Sequence, residues 1–335
     1  MGRKVIHIFA ALIALVVFSC NKFEYGEGGL NECSLISAKT GGKGYTVIAA
    51  RQVNSLHYVW QPDSAAQAVR VGDYYAVAFL AEGSLYRMDG LSEFAADSSV
   101  SMQEIYASLP ELSQEDTIVD CNPYAPFIVH ADSVLMCASQ RFSAMDSTMT
   151  VTFEPVSLTQ SLKFRFRLQT DQGVEISSVD AILSGVAGRV KLMTGQVRND
   201  VDNPTYKLYL NLKRLSEGDV VLYEGSANVL GLFPSDSEIY KVGPGILHLK
   251  VEASVDEDGE LKQKVFYAGI NLKNLIEAAE LMTAAADQSG YRLNKREAVL
   301  EIPVPLQVKR DKVISASGEG FSQWFINDGE IDVDV

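Results

Sequence analysis

Few side chains in this sequence could do chemistry. His57, His130 and His248 stand on separate strand-like stretches, none with a histidine or cysteine at metal-ligand spacing. His248 falls on the polar side of "LHLKVEASV", where a solvated or hydrogen-bonded imidazole is expected. "DEDG", beginning at Asp256, lacks the later acidic positions and the glutamate of a calcium loop, and reads as a hairpin turn. No G-x-S-x-G, phosphate-binding loop or strand-borne G-x-G-x-x-G occurs. Gly41-Gly42-Lys43-Gly44 has no following Ser or Thr and reads as flexible chain. Lys163, Arg165 and Arg167 form a basic row that could hold an anionic glycan or a partner's acidic surface, or could be the wet face of a sheet. Asp332 and Asp334 follow from strand alternation as readily as from a glycosidase dyad. Trp60 and Trp324 sit in apolar strand contexts that favour core packing over a sugar platform. No nucleophile, acid–base pair or metal set emerges. The chain is therefore expected to be no enzyme and to carry no metal or cofactor.

The cysteines are more informative. Arg3 and Lys4 precede eleven uninterrupted apolar residues, Ile8 to Phe18. A bilayer-spanning helix needs about 20, so the run fits the apolar core of a secretory signal peptide. It ends on Val17-Phe18-Ser19-Cys20, which resembles a lipobox. In that reading residues 1–19 are removed, and Cys20 becomes the lipid-carrying N-terminus. Membrane affinity then comes from acyl chains, at about 0.8 kcal/mol per buried CH₂. The alternative is ordinary secretion with a free Cys20. Cys33, Cys121 and Cys137 remain, and no C-x-x-C occurs among them. Cys121 and Cys137 could pair in an oxidising compartment or stay as buried free thiols.

Composition bounds the partners. The 335 residues carry 29 basic and 43 acidic side chains, and loss of the leader takes the net charge from −14 to −16. Such a chain repels phosphate backbones, so nucleic acid is not an expected partner. Hydrophobic residues make up 47%, enough to build cores, and the length suits two domains.

The elements that must position these residues are mostly strands. After a polar, glycine-rich tether over 20–44, "SLHYVW" and "VRVGDYYAVAFLA" read as strands, the second apolar on both faces and central to its sheet. A long excursion, Leu91–Phe127, interrupts the pattern. Within it Ser101 and Glu104 form a capping box for a short helix that Pro110 ends. "LKFRFRLQ" alternates strictly, with Leu162, Phe164, Phe166 and Leu168 on one face. "YKLYLNLK" does the same with Tyr206, Leu208, Leu210 and Leu212, and "LHLKVEASV" turns through "DEDG" into "LKQKVFYAGI" as a hairpin. One helix is expected where Leu272, Leu275, Ile276, Ala279 and Met282 follow helical spacing, ending before Gly290. "AVLEIPVPLQV" and "GEIDVDV" close the chain as strands. The reading is all-β with one or two short helices, in two tandem β-sandwich domains, 45–155 and 156–335, with the seam at Glu154-Pro155.

"VDAILSGVAGRVKLMTGQV" (179–197) resembles the second domain of the fimbrillin-family lipoproteins of Bacteroidales, in particular their FimB-like and Mfa-like fimbrial anchor and accessory subunits. "VRVGDYYAVAF", "VTFEPVSLTQSLKFRFRL" and "VLEIPVPLQVKRDKVISASGEGFSQWFINDGEIDVDV" resemble the family's first-domain strand pair, interdomain crossing and closing strands, in that order. The resemblance implies transthyretin-like topology in both sandwiches and a surface-exposed outer-membrane lipoprotein. It also implies adhesion without enzymatic activity and pilin-like subunits as partners, joined by strand donation. In such families shaft subunits lose a leading strand by cleavage after Arg or Lys, whereas anchors keep it. Arg51 is the cleavage candidate here, and it is expected to stay uncut. Ile331, Val333 and Val335 are the donor candidates; the bland reading is that they close their own sheet. A glycan-binding surface lipoprotein is the alternative function.

Overall fold

The computed structural model describes residues 33–52, 56–63, 65–83, 85–96, 101–113, 118, 125–145, 147–235, 243–286, 290–311, 313–315 and 325–327. In chain order the first strands are β1 (Cys33–Lys39), β2 (Thr46–Arg51), β3 (His57–Trp60), β4 (Gln67–Arg70) and β5 (Gly72–Ala81). The excursion contributes β6 (Arg87–Asp89), helix α1 (Leu91–Ala96), β7 (Tyr106–Ser108), β8 (Glu111–Leu112) and β9 (Phe127–Ile128). Three strands complete the first unit: β10 (Leu135–Ala144), β11 (Thr148–Thr152) and β12 (Val156–Ser157).

These form two facing sheets, β11-β1-β4 and β12-β10-β5-β2-β3. Alternation sorts the apolar side chains between them. Ile36, Val47, Ala49, Trp60, Tyr74 and Phe153 fill the space between the sheets. Ile48, Val77 and Phe79 point out of the other face of β2 and β5, into a second and larger core. The expectation of a central strand apolar on both faces is met by β5, which lies between β10 and β2. The stretch read as a tether contains β1. Just past the expected seam at Glu154-Pro155, Val156 and Ser157 pair with Cys137 and Met136. The name first unit covers the strands from Cys33 to Ser157.

The second unit holds β13 (Gln160–Thr170), β14 (Val174–Ala187), β15 (Arg189–Lys191), β16 (Gln196–Val197), β17 (Thr205–Arg214), β18 (Val220–Val229), β19 (Ile246–Glu257) and β20 (Glu260–Asn271). Helix α2 (Lys273–Ala278) follows, then β21 (Met282–Ala284), β22 (Tyr291–Leu293), β23 (Glu297–Glu301), β24 (Leu306–Val308), β25 (Val313–Ser315) and β26 (Phe325–Asn327). The main path runs β25-β24-β13-β18-β17-β14-β19-β20-β26. β17 changes partner midway, pairing with β14 through Leu210 and with β18 from Asn211. It thereby bends one sheet over another, and Leu162, Phe164, Phe166 and Leu168 pack inside, each 0% exposed. β19 and β20 form the expected hairpin, closed by Asp258 and Gly259 at φ 55° and 90°. Such a two-residue Asp-Gly turn matches the twist of the flanking strands.

The excursion crosses over to the second unit: β7 pairs with β15, and β9 lies parallel to β17. The predicted capping box appears as a single 3₁₀ turn, Met102–Glu104, with the Ser101 hydroxyl accepting from the Gln103 amide at 3.2 Å. The predicted 272–282 helix stops at Ala278. Glu280 takes a left-handed φ of 51°, and the Leu281 carbonyl accepts from Asn294 and Lys295 instead of continuing the helix. The all-β reading holds, with two short α-helices among the described residues.

Candidate assembly interface

The segment 33–51 has an unusual placement. β1 lies inside one first-unit sheet, parallel to β11 and antiparallel to β4. β2 lies inside the other, between β5 and β3. Its side chains alternate accordingly. Ser34 and Ile36 point inward from β1, and the Ser34 hydroxyl donates to the Ser147 carbonyl at 2.5 Å. Between the strands the Thr40 hydroxyl donates to the Gly42 carbonyl at 3.0 Å, and the Gly44 amide donates to Asp63 at 2.7 Å, so the crossing is fixed. Removal of 33–51 would leave β11, β4, β5 and β3 with unpaired backbone donors and acceptors in a buried setting.

Arg51 is the last residue of β2. Its amide donates to the Leu56 carbonyl at 2.7 Å, and the Gln52 amide donates to Asp73 at 2.9 Å. The guanidinium lies over Gly72, where a Cβ would come within 2.4 Å of Nε; that glycine has φ +148°. The 51–52 peptide is therefore held in a ladder. A protease that binds its substrate as an extended strand would first have to open it.

The remaining sequence candidates disperse. His57 packs against the Phe94 ring at 4.9 Å, and His130 Nε2 lies 2.8 Å from the Tyr209 carbonyl oxygen. His248 is not solvated. It is 4% exposed, and burial, with Lys207 beside it, pushes its pKa down to about 4. Lys207 is itself buried, with Nζ 4.5 Å from the Phe127 ring centre. The reason is the excursion: Ile118 and Phe127 cover the outer face of β14, β17 and β20, and His248 lies in register with Ile182 on that covered face. Alternation alone cannot reveal this; the apolar content of the excursion was the available signal. Among the described residues no group of three His, Cys, Asp or Glu converges on a metal site.

The basic row is locally balanced. Arg165 pairs with Glu224 at 2.7 Å and Arg167 with Glu301 at 2.8 Å, on a face open to water. Trp60, 8% exposed, packs between the first-unit sheets. Asp256 receives the Gly259 amide at 2.8 Å, as a turn residue would. The Cys137 thiol is buried and donates to the Leu192 carbonyl at 2.9 Å, and burial pushes its pKa up to about 12; Cys33 is exposed. Cys20, Cys121, Trp324, Ile331, Val333 and Val335 lie outside the described residues, as do Asp332 and Asp334. Among the described residues no helix is long and apolar enough to cross a membrane.

No known protein family matches the sequence, and no curated relative does. Solved structures do resemble it, among them a fimbrial anchor protein, candidate adhesins and a candidate polysaccharide-binding protein. The fimbrial anchor protein Mfa2 from Porphyromonas gingivalis is 12% identical with a TM-score of 0.44, over 90% of this chain and 99% of that one. A candidate adhesin from Bacteroides ovatus has 11% identity and a TM-score of 0.44, over 83% and 92%. A candidate adhesin from Bacteroides thetaiotaomicron has 11% and 0.43, over 91% and 99%.

Proposed function

We propose that the chain is a lipid-anchored subunit of a surface adhesive or fimbrial assembly, acting as an anchor or accessory subunit with residues 33–51 retained. The observation that carries this reading is the position of 33–51, the interior strand of both first-unit sheets. A subunit that keeps this segment has its own first unit filled. It can offer a strand to a neighbour but cannot accept one there. The lipobox-like Val17–Cys20 supports attachment at the membrane immediately ahead of that segment. The alternating Ile331, Val333 and Val335 support donation, since such a strand supplies main-chain hydrogen bonds for affinity and alternate side chains for register.

The test compares wild type with Cys20→Ala and with a chain lacking residues 330–335. Cys20→Ala is expected to leave the membrane fraction. The truncated chain is expected to melt almost unchanged while losing capture of a pilin-like subunit. Membrane retention of Cys20→Ala contradicts the anchoring. A melting temperature lowered by several degrees, with capture intact, contradicts donation.

A further inference from the structure

A cleft of about 680 Å³ opens where the outer end of β10 meets the turn after β15 and the strand β22. Its charged lining residues are Arg292, Arg296 and Glu154. Neither guanidinium forms an ion pair or hydrogen bond with a described residue, and Nη1 of Arg296 is buried without an acceptor. Arginine stays protonated in proteins, so a charged N–H is withdrawn from water with nothing to receive it. Such a group is costly, and an anion in the cleft that Arg296 lines would offset its charge through the remaining donors of the guanidinium. Desolvation also lowers the Arg296 pKa, in keeping with a half-buried cation lacking a partner.

The lining defines the ligand further. No aromatic ring contributes, so a neutral sugar would find no stacking surface. Ser139, Gln140 and Thr152 line the same cleft from exposed positions on β10 and β11, presenting hydroxyl and amide groups. The chain as a whole carries a net charge of −14, so its general field repels anions, and anion binding here must come from Arg292 and Arg296, which outweigh the single carboxylate of Glu154 in the lining. We infer that the cleft binds the carboxylate or sulfate group of a short acidic saccharide. Arg292 and Arg296 hold the anion, and Ser139, Gln140 and Thr152 meet the sugar hydroxyls. The Cys137 thiol, also in the lining, is occupied by the Leu192 carbonyl and takes no part. This site is independent of the subunit reading above: it needs neither lipidation nor strand exchange.

Isothermal titration of the full mature chain at about 50 mM salt tests it, where screening is weak. The probes are a galacturonate tetramer, a heparin-derived sulfated tetrasaccharide, neutral maltotetraose and an Asp/Glu tetrapeptide. One or both acidic saccharides are expected to bind at a single site, and maltotetraose is not. Arg292→Ala, at an exposed position that leaves the fold intact, is expected to weaken that binding by about ten-fold or more, and Arg292→Glu to remove it. Arg296→Gln is expected to weaken it comparably while the melting temperature is held or raised, since a desolvated charge is removed. No binding of either acidic saccharide overturns the inference. So does equal binding of maltotetraose, binding of the peptide alone, or unchanged affinity in Arg292→Glu.

Discussion

The two units are built from the same alternating strands but close in different ways. The second is closed by its own late strands: β13 pairs in parallel with β23 and β24, more than a hundred residues further on, and β19 turns directly into β20 with a register unbroken from Ile246–Asn271 to Glu257–Glu260. The first closes through its earliest strands. β1 reaches β11 across more than a hundred residues of chain, and β2 separates β5 from β3. The sheets of the second unit are therefore complete without residues 33–51, whereas the first depends on the segment nearest the proposed lipid anchor. Proteolysis between Arg51 and Gln52 would strip strands from the first unit's sheets and none from the second's.

Deleting residues 33–51 gives the largest expected effect. Ile36, Val47, Ile48 and Ala49 are each 0% exposed. Burial of a large apolar side chain contributes about 1.5–3 kcal/mol, so their loss together with two interior ladders approaches the whole stability of a domain. Calorimetry is expected to show the first-unit transition lost and a second-unit transition retained. A single unfolding event that removes both would make the continuous core between the units, not the separate closure of each, the governing feature.

Within the second unit, Phe164→Ala is expected to cost about 3–5 kcal/mol by chemical denaturation, as a fully buried aromatic truncation does. Gly185→Ala follows. Gly185 has φ +82° at a bulge in β14, and a Cβ would lie 2.3 Å from the Gly245 amide nitrogen. Left-handed backbone and the backbone clash together are expected to cost about 2–4 kcal/mol.

His248 provides a pH test of the same unit. Its folded pKa of about 4 lies below the ordinary 6.5, so the native state prefers the neutral imidazole. Its contribution is fully present above about pH 6.5 and is lost as pH falls toward 4, because the unfolded chain takes up the proton first. Acid unfolding is expected to show a slope of up to about 2–3 kcal/mol across that window, and His248→Leu is expected to flatten it. The smallest effect belongs to the basic row: Arg165→Ala is expected to change stability by less than about 1 kcal/mol, since the pair with Glu224 is partly exposed.

Much of this was legible in the sequence. Strict alternation placed Leu162, Phe164, Phe166 and Leu168 in the core, and Asp258-Gly259 marked the hairpin turn. Three features were not. β1 lies in a polar stretch where only Ile36 is fully buried among its apolar residues, too weak a pattern to distinguish a strand from a tether. The helix beginning at Lys273 was cut short by the tertiary pairing of β21 with β22, which helical spacing cannot foresee. Alternation puts His248 on the polar side of its strand because it identifies two faces without saying whether distant chain covers the second. The interior position of 33–51 and the unpaired arginines of the cleft both arise from contacts far apart in sequence, and so required the structure.

Residues 33–51 are proposed to remain in the mature protein as the interior strands of the first unit. Mass spectrometry of the N-terminal peptide from membrane-purified protein tests it most directly. The account predicts a chain that begins at lipidated Cys20 and reads continuously through Arg51 into Gln52. Recovery of a mature surface form beginning at Gln52 would contradict it and make the protein a strand-accepting shaft subunit.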